Sequence, residues 1–356
     1  MIAPAPGVAK SCRYGSHRVL EPAGALPQSA WRLDNTPAAK ENEILCSVES
    51  LSIDSASFRQ MREAANGDAR AIGETILETV RTRGKQHNPI TGSGGMFVGR
   101  VADVGAQLLD ACEVRVGDRI ASLVSLTLTP LALERIRGVD MATSRVDVDG
   151  HAILFACAHF ARLPEDMPTN VALAVLDVAG APAQVRRLTA AGSTVVVIGA
   201  DGKSGLLACA QARERVGSEG RVIGIAPDAS SRGATLLRTL GLVDDFIEAD
   251  ARDAASLLGM LPERIPGLAD LVVNCVNVPG TELASILCAR DEGTVYFFSM
   301  CTSFTAAALG AEGVGKDVTM IVGNGFTKGH AELALDTLRA RRPLLDYFTE
   351  IYGATA

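Results

Sequence analysis

The sequence predicts an α/β protein of two lobes, a β-rich first half followed by a doubly wound parallel sheet, and three observations carry that expectation. From about Pro168 onward, apolar runs of strand length alternate with helical segments, the way successive βαβ units read. One of those runs passes through a glycine-rich turn directly into a helix. Before Pro168 the pattern is different: short β-like runs broken by Gly and Pro, interrupted by one helical stretch, 57–83, rich in Ala, Glu and Arg. A chain of 356 residues has room for two cores, since single cores stop growing at roughly 250–300 residues. The expected division is a β-rich lobe over 1–165, a sheet-and-helix lobe over 166–325 and a helical segment over 326–356, with LPEDMP (163–168) as the junction.

Composition narrows the class. With 47% hydrophobic and 21% charged residues the chain is an ordinary globular protein. Its formal charge of −7 argues against a nucleic-acid partner, which draws affinity from clustered Lys and Arg, and suits a cationic small substrate better. The eight cysteines form no CxxC pair and have no histidine at zinc-finger spacing, so they read as reduced thiols of a cytoplasmic protein. The opening MIAPAPGVAK is not expected to act as a secretion signal, and no run is long and apolar enough for a membrane span. The expected partners are a small molecule and a second copy of the chain, by the general prevalence of two-fold pairs.

In the second lobe the expected strands are 193–198, 221–225, 245–247, 270–275, 294–298 and 318–322, with crossover helices at 204–216, 232–240, 254–261 and 281–290. The first strand runs into GADGKSG (199–205) and then a helix. Glycines at 199, 202 and 205 let the backbone approach a pyrophosphate, whose charge the free N–H groups of the helix start attract. Spacing is GxxGxxG, because Asp201 holds the middle glycine position of the commoner motif. A P-loop would need glycine at 197, where the chain has Val197. The fold class is therefore α/β, a Rossmann-type parallel six-stranded sheet plus a β-rich N-terminal domain, and the cofactor is NAD or NADP. Candidate cofactor-binding residues are Gly199, Asp201, Gly202, Lys203, Ser204 and Gly205 in the turn, with Asn277 and Val278 after the fourth strand and Ser299 after the fifth. No acidic residue ends the second strand at 226; Asp228 stands two further on, then Ser230, Ser231 and Arg232. Ser230 and Arg232 are candidates to receive a 2′-phosphate, which leaves both cofactors open.

This order of parts resembles the medium-chain dehydrogenase/reductase superfamily. TGSGGMFVGRVADVG (91–105) is similar to its GHExxGxVxxVG segment and VGDRI (116–120) to its VGDRV turn. More narrowly, YGSHRV (14–19), RGKQHNP (83–89), LDVAGAPAQ (176–184) and GAEGVGKDVTM (310–320) resemble the 3,5-diaminohexanoate dehydrogenases of lysine-degrading bacteria. The resemblance implies oxidation of L-erythro-3,5-diaminohexanoate to 5-amino-3-oxohexanoate, with release of ammonia and reduction of NAD(P), and it makes the first lobe the catalytic domain. At positions matching the zinc ligands of the wider superfamily the chain has Asp54, Ser93 and Asp177, a poor set for zinc, so no catalytic metal is expected.

Amine oxidation on that substrate needs a base, because an ammonium with a pKa of about 10 must first lose a proton. Asp54 and Asp177 are the candidates for base and amine binding; Asp54 also follows an apolar run and could simply cap a helix starting at Ser55. For the substrate carboxylate the candidates are Lys85, His87 and Arg13. His17, Lys316 and Asn324 read equally well as structural partners. The rival readings are a zinc-free enone or quinone reductase, which needs no acidic pocket, and a catalytically inactive nucleotide-binding protein.

Overall fold

The computed structural model describes residues 12–89, 92–110, 114–323 and 325–353, and the chain divides into two compact units, one running to Glu165 and one starting at Asp166. The first unit begins with a small antiparallel ribbon, β1 (Val19–Glu21) against β2 (Arg32–Leu33). Its main sheet consists of β3 (Glu43–Ser52), β4 (Met96–Val104), β5 (Arg119–Ser122), β6 (Leu131–Asp140), β7 (Arg145–Phe155) and β8 (Phe160–Arg162). The strand order is β6-β7-β3-β4-β5-β8, antiparallel throughout. The sheet is completed by β8, a segment of this unit's own chain.

Two helices, α1 (Ser55–Ala64) and α2 (Ala69–Arg83), stand where the sequence predicts one continuous stretch. The break has a local cause: Asn66 and Gly67 both take positive φ, and the Asp68 carboxylate then caps the second helix by accepting from the Arg70 and Ala71 amides. Ile72, Ile76 and Val80 of α2 are fully buried with Cys46 and Leu51 of β3. Each large aliphatic side chain so buried contributes roughly 1.5–3 kcal/mol. The helix ends at Gly84, whose φ of 64° and whose approach to the Leu33 carbonyl leave no room for a Cβ. That stop releases the segment Lys85–Asn88 into the unit's interior.

A buried charge cluster anchors the start of this unit. Arg18, only 1% exposed, donates to both carboxylate oxygens of Glu43 and to the Thr36 and Ala38 carbonyls. Burial works to raise the Glu43 pKa, but hydrogen bonds from Arg18, His17 and the Lys40 amide prevail and hold it at about 2.

The second unit is built on β9 (Thr194–Ile198), β10 (Arg221–Ala226), β11 (Asp245–Glu248), β12 (Ala269–Asn274), β13 (Ala289–Phe297) and β14 (Thr319–Val322). All pair in parallel, in the order β11-β10-β9-β12-β13-β14. Strand direction and order are those of the six-stranded dinucleotide-binding sheet, with the topological switch between β9 and β12. Val195, Val196 and Val197 are wholly buried, as a strand covered on both faces requires. Crossovers α5 (Lys203–Val216), α6 (Arg232–Thr239), α7 (Ala254–Arg264) and α8 (Glu282–Cys288) fall close to the expected positions, and α9 (Phe304–Val314) leads into β14. The helix α8 stops at Cys288 rather than 290, since Ala289 already pairs with Ala269 of β12. Before β9 lie α3 (Thr169–Leu176) and α4 (Gly180–Leu188); after β14 come α10 (His330–Arg339) and α11 (Arg342–Tyr352). The helix α10 packs on α3, α4 and α5, so the C-terminal helices belong to this unit.

Candidate active site

The second unit carries a cradle at the end of β9. Gly199 takes φ 76°, and its amide donates to the Ile225 carbonyl at 2.8 Å. Gly202 caps α5 without any side-chain hydrogen bond, leaving the first-turn amides of the helix to a ligand. A Cβ on Gly205 would stand 2.1 Å from the Gly199 carbonyl oxygen, so only glycine permits this close turn. Across the switch point the Cys275 amide donates to the Ile198 carbonyl, which brings the end of β12 beside the turn. A dinucleotide fits here because closely approached backbone and uncapped amides are what its pyrophosphate needs.

The predicted cofactor residues divide on inspection. Lys203, in the first turn of α5, donates to Asp177 Oδ2 at 2.6 Å and lies 5.9 Å from the centre of the Tyr352 ring. The Ser204 hydroxyl hydrogen-bonds the Cys275 thiol, which burial pushes up to about 12. Asp201 Oδ2 accepts from the Ser231 hydroxyl, which in turn caps α6. Ser230 donates to Asp228, closing a turn after β10. The Arg232 guanidinium pairs with Glu350 and stacks over Tyr347, both on α11. At the far ends of β12 and β13 the Ser299 hydroxyl donates to Asn277 Oδ1 at 3.1 Å, and Val278 is exposed. Asn274 was not among the predicted residues, yet it organises this edge. Its amide nitrogen donates to Thr281 and Ser285 hydroxyls and its oxygen accepts from the Val276 amide. An Asn closing the apolar run 271–273 was the available signal.

In the first unit a separate group of candidate residues gathers around Gly94 and Gly95. Cβ atoms there would meet the Gln86 carbonyl at 2.4 Å and the Ser52 carbonyl at 2.1 Å, so this glycine pair is wedged between the loop after α2 and the end of β3. Asp54, directly after β3, caps α1: its Oδ1 accepts from the Ser57 amide at 2.9 Å. Its Oδ2 is buried with no hydrogen-bond partner among the described residues. On the other side Gln86, 2% exposed, has a side-chain oxygen in the same condition. Asn88 donates to Gln60 of α1, tying the loop to the helix that Asp54 starts.

Lys85 is 1% exposed and donates to the Pro27 carbonyl at 3.0 Å; burial and the nearby Arg83 charge push its pKa down to about 8. His87 Nδ1 lies 3.3 Å from the Thr127 hydroxyl, and burial together with Arg83 and Lys85 lowers its pKa, so its imidazole is neutral at pH 7. Of the remaining candidates, His17 bridges the Cys12 amide and Glu43, Arg13 stacks on Tyr14, and Lys316 donates to the Ala289 carbonyl. Asn324 lies outside the described residues. Among those described, no three His, Cys, Asp or Glu side chains gather in a way that could hold a metal ion.

Sheet order, glycine cradle and a β-rich first unit together define a nicotinamide-dependent oxidoreductase of the medium-chain dehydrogenase/reductase type. The same fold recurs in the quinone oxidoreductase from Coxiella burnetii, at a TM-score of 0.52 and 17% identity, over 88% of this chain and 86% of that one. Residues 17–164 match the family model of the L-erythro-3,5-diaminohexanoate dehydrogenase N-terminal domain. Relatives called L-erythro-3,5-diaminohexanoate dehydrogenase, from Acetoanaerobium sticklandii and Fusobacterium nucleatum, are 49% and 47% identical, each over 96% of this chain and 99% of the relative. The chain belongs to the L-erythro-3,5-diaminohexanoate dehydrogenase family.

Proposed function

We propose that this protein oxidises L-erythro-3,5-diaminohexanoate with NAD and water, giving 5-amino-3-oxohexanoate, ammonia and reduced cofactor. Beyond family membership, one observation supports the reading: a carboxylate whose second oxygen, Asp54 Oδ2, is buried and unpartnered. Asp54 accepts the proton that the substrate's C3 ammonium must lose before its lone pair can assist oxidation. The bound nicotinamide supplies a hydride acceptor for C3. Asp54 passes that proton to solvent and takes another from the water that adds to the iminium carbon; it gives this one to the departing nitrogen and takes the hydroxyl proton as the carbinolamine collapses to ketone and ammonia. His87, neutral and half-buried, offers an N–H to the substrate carboxylate, and Lys85 contributes positive charge from behind the loop rather than a direct contact. Asp177, already engaged by Lys203 at 2.6 Å, serves as a positioning residue for that lysine beside the first turn of α5.

The preference for NAD rests on the loop after β10. Its two nearby guanidiniums are committed, Arg232 to Glu350 and Arg238 to the Ala229 carbonyl, which leaves neither free for a 2′-phosphate. A homodimer is the proposed assembly, through the edge of the parallel sheet. The strand β14 ends that sheet, and Phe304 and Leu309 of α9 and Val322 of β14 are exposed there, 73%, 62% and 44%. The setting is the cytoplasm, where a soluble nicotinamide pool is available.

Mixing the protein with 3,5-diaminohexanoate and NAD should raise reduced-nicotinamide absorbance and ammonia in equal amounts. Silence with both NAD and NADP, under conditions where the cofactor binds, sinks the reading and favours an enone reductase.

A further inference from the structure

The described cysteines differ sharply in surroundings. Cys46, Cys209, Cys275 and Cys288 are buried, and burial pushes each of these thiols up, away from the reactive thiolate. Cys301 is exposed. Cys12 and Cys157 are half-buried, and the first unit brings them together from opposite ends of its chain.

The turn at 12–15 closes through the Gly15 amide, which donates to the Cys12 carbonyl at 3.0 Å. Gly15 takes φ 80°, and a Cβ there would stand 2.3 Å from the Phe155 ring, so this turn lies directly against the end of β7. Cys157, two residues beyond that strand, donates its amide to the Arg13 carbonyl at 3.3 Å. The bond holds Cys157 beside the residue that follows Cys12, and the two thiols are close enough that charge on one disfavours charge on the other. His17 fixes the turn from its far end: Nδ1 accepts from the Cys12 amide at 3.0 Å, so Nε2 is the nitrogen that donates to Glu43. Both ring nitrogens are thereby used in holding backbone and carboxylate.

The two thiols are chemically unequal. The Ser16 hydroxyl donates to the Cys12 sulfur, the Tyr14, Ser16 and Gly15 amides add to it, and together they lower its pKa against the effect of burial. Burial raises the Cys157 thiol, the Arg13 charge opposes this, and Cys12 reinforces it. One sulfur suited to attack beside a second kept protonated is the arrangement that a resolvable oxidation requires. We propose that Cys12 and Cys157 form a reversible disulfide on exposure to a hydroperoxide, with Cys12 the sulfur oxidised first. The Cys12 thiolate attacks a peroxide oxygen, the O–O bond breaks, and hydroxide leaves and takes a proton to become water. Sulfur is then a sulfenic acid. Cys157 gives its proton to solvent and attacks that sulfur; the S–O bond breaks as the S–S bond forms, and a second water leaves. Two thiols have been oxidised and one hydrogen peroxide reduced to two waters, and an external dithiol reverses the bridge.

The test uses the whole protein, first reduced with dithiothreitol and desalted, then given a small excess of hydrogen peroxide. Remaining thiols are alkylated at intervals and the unreduced digest is read by mass spectrometry. The peptide of Cys12 should appear joined to that of Cys157, within a single chain on a non-reducing gel, and should separate again with dithiothreitol. Cys12 should be lost about ten-fold faster than Cys301 or more, although Cys301 is the more exposed thiol. Oxidation of Cys301 ahead of Cys12, a bridge from Cys12 to any other cysteine, or Cys12 passing to sulfinic acid while Cys157 stays reduced overturns the proposal. Two variants check the order of events. In Cys157→Ser the sulfenic acid on Cys12 should persist and be trapped by dimedone, and in Cys12→Ser the Cys157 thiol should survive the same treatment. Oxidation of Cys157 at the wild-type rate in Cys12→Ser removes Cys12 as the first sulfur. The wild-type bridge needs neither variant, so its absence is decisive even if both fail to fold.

Discussion

The two carboxylate oxygens of Asp54 differ, since Oδ1 holds the start of α1 while Oδ2 has no partner among the described residues. The sequence offers helix cap and acid–base group as alternatives; the structure places one oxygen in the first role, and the second role for Oδ2 is the proposal. Asp54→Asn keeps a capping oxygen, so its melting temperature should stay close to wild type while turnover falls by about 100-fold or more. Steady-state rates and a thermal melt on the same preparation check both halves, and near-normal turnover would take Asp54 out of the mechanism. Glu43 is a structural counterpart, its carboxyl held at about 2 against an ordinary value of 4.5. A depressed folded pKa stabilises above the unfolded value and loses that contribution as pH falls from about 4.5 toward 2, here on the order of 3 kcal/mol. Denaturant titrations at several acid pH values should show this decline, and Glu43→Gln should flatten it while lowering stability at pH 7 by roughly 3–5 kcal/mol, since Arg18 is left buried.

At the scale of elements, the turn between β9 and α5 tolerates no added atom at Gly205. Gly205→Ala should reduce dinucleotide affinity by about 100-fold or more, read by calorimetry, because the shifted turn no longer aims its amides together. The helix α11 bears on cofactor choice through Glu350. Replacing it in Glu350→Gln removes the charge partner of Arg232, and the ratio of NADP to NAD affinity should rise by about ten-fold. An unchanged ratio would exclude Arg232 from the ribose pocket. The turn glycines and all six strands of the second unit were legible in the sequence, because each is a local pattern of apolar run and glycine. The break between α1 and α2 was signalled by Asn66–Gly67 but hidden inside a continuous helical composition. The pairings of Arg232 with Glu350 and of Asp201 with Ser231 were not legible, since they join segments 118 and 30 residues apart through exposed or half-buried side chains.

For the whole molecule, the proposed dimer is testable by light scattering. The protein should run at twice its chain mass, and Leu309→Glu, which charges an exposed position of α9, should shift it to monomer with little change in folding. A wild-type monomer would remove the sheet edge as an assembly surface. What the sequence determined by itself was the class: a β-rich unit, a parallel sheet, a nicotinamide-binding turn and a family. Those properties reside in strand periodicity, in the steric demand for glycine and in runs of residues shared with relatives, all of which are local. Tertiary structure alone decided which polar groups are satisfied. Lys85 and Asp177, similar candidates in sequence to His87 and Asp54, are engaged by Pro27 and Lys203, while Asp54 and Gln86 each keep one buried side-chain oxygen without a partner among the described residues. Hydrogen-bond satisfaction is a property of neighbours distant along the chain, and no local pattern records it.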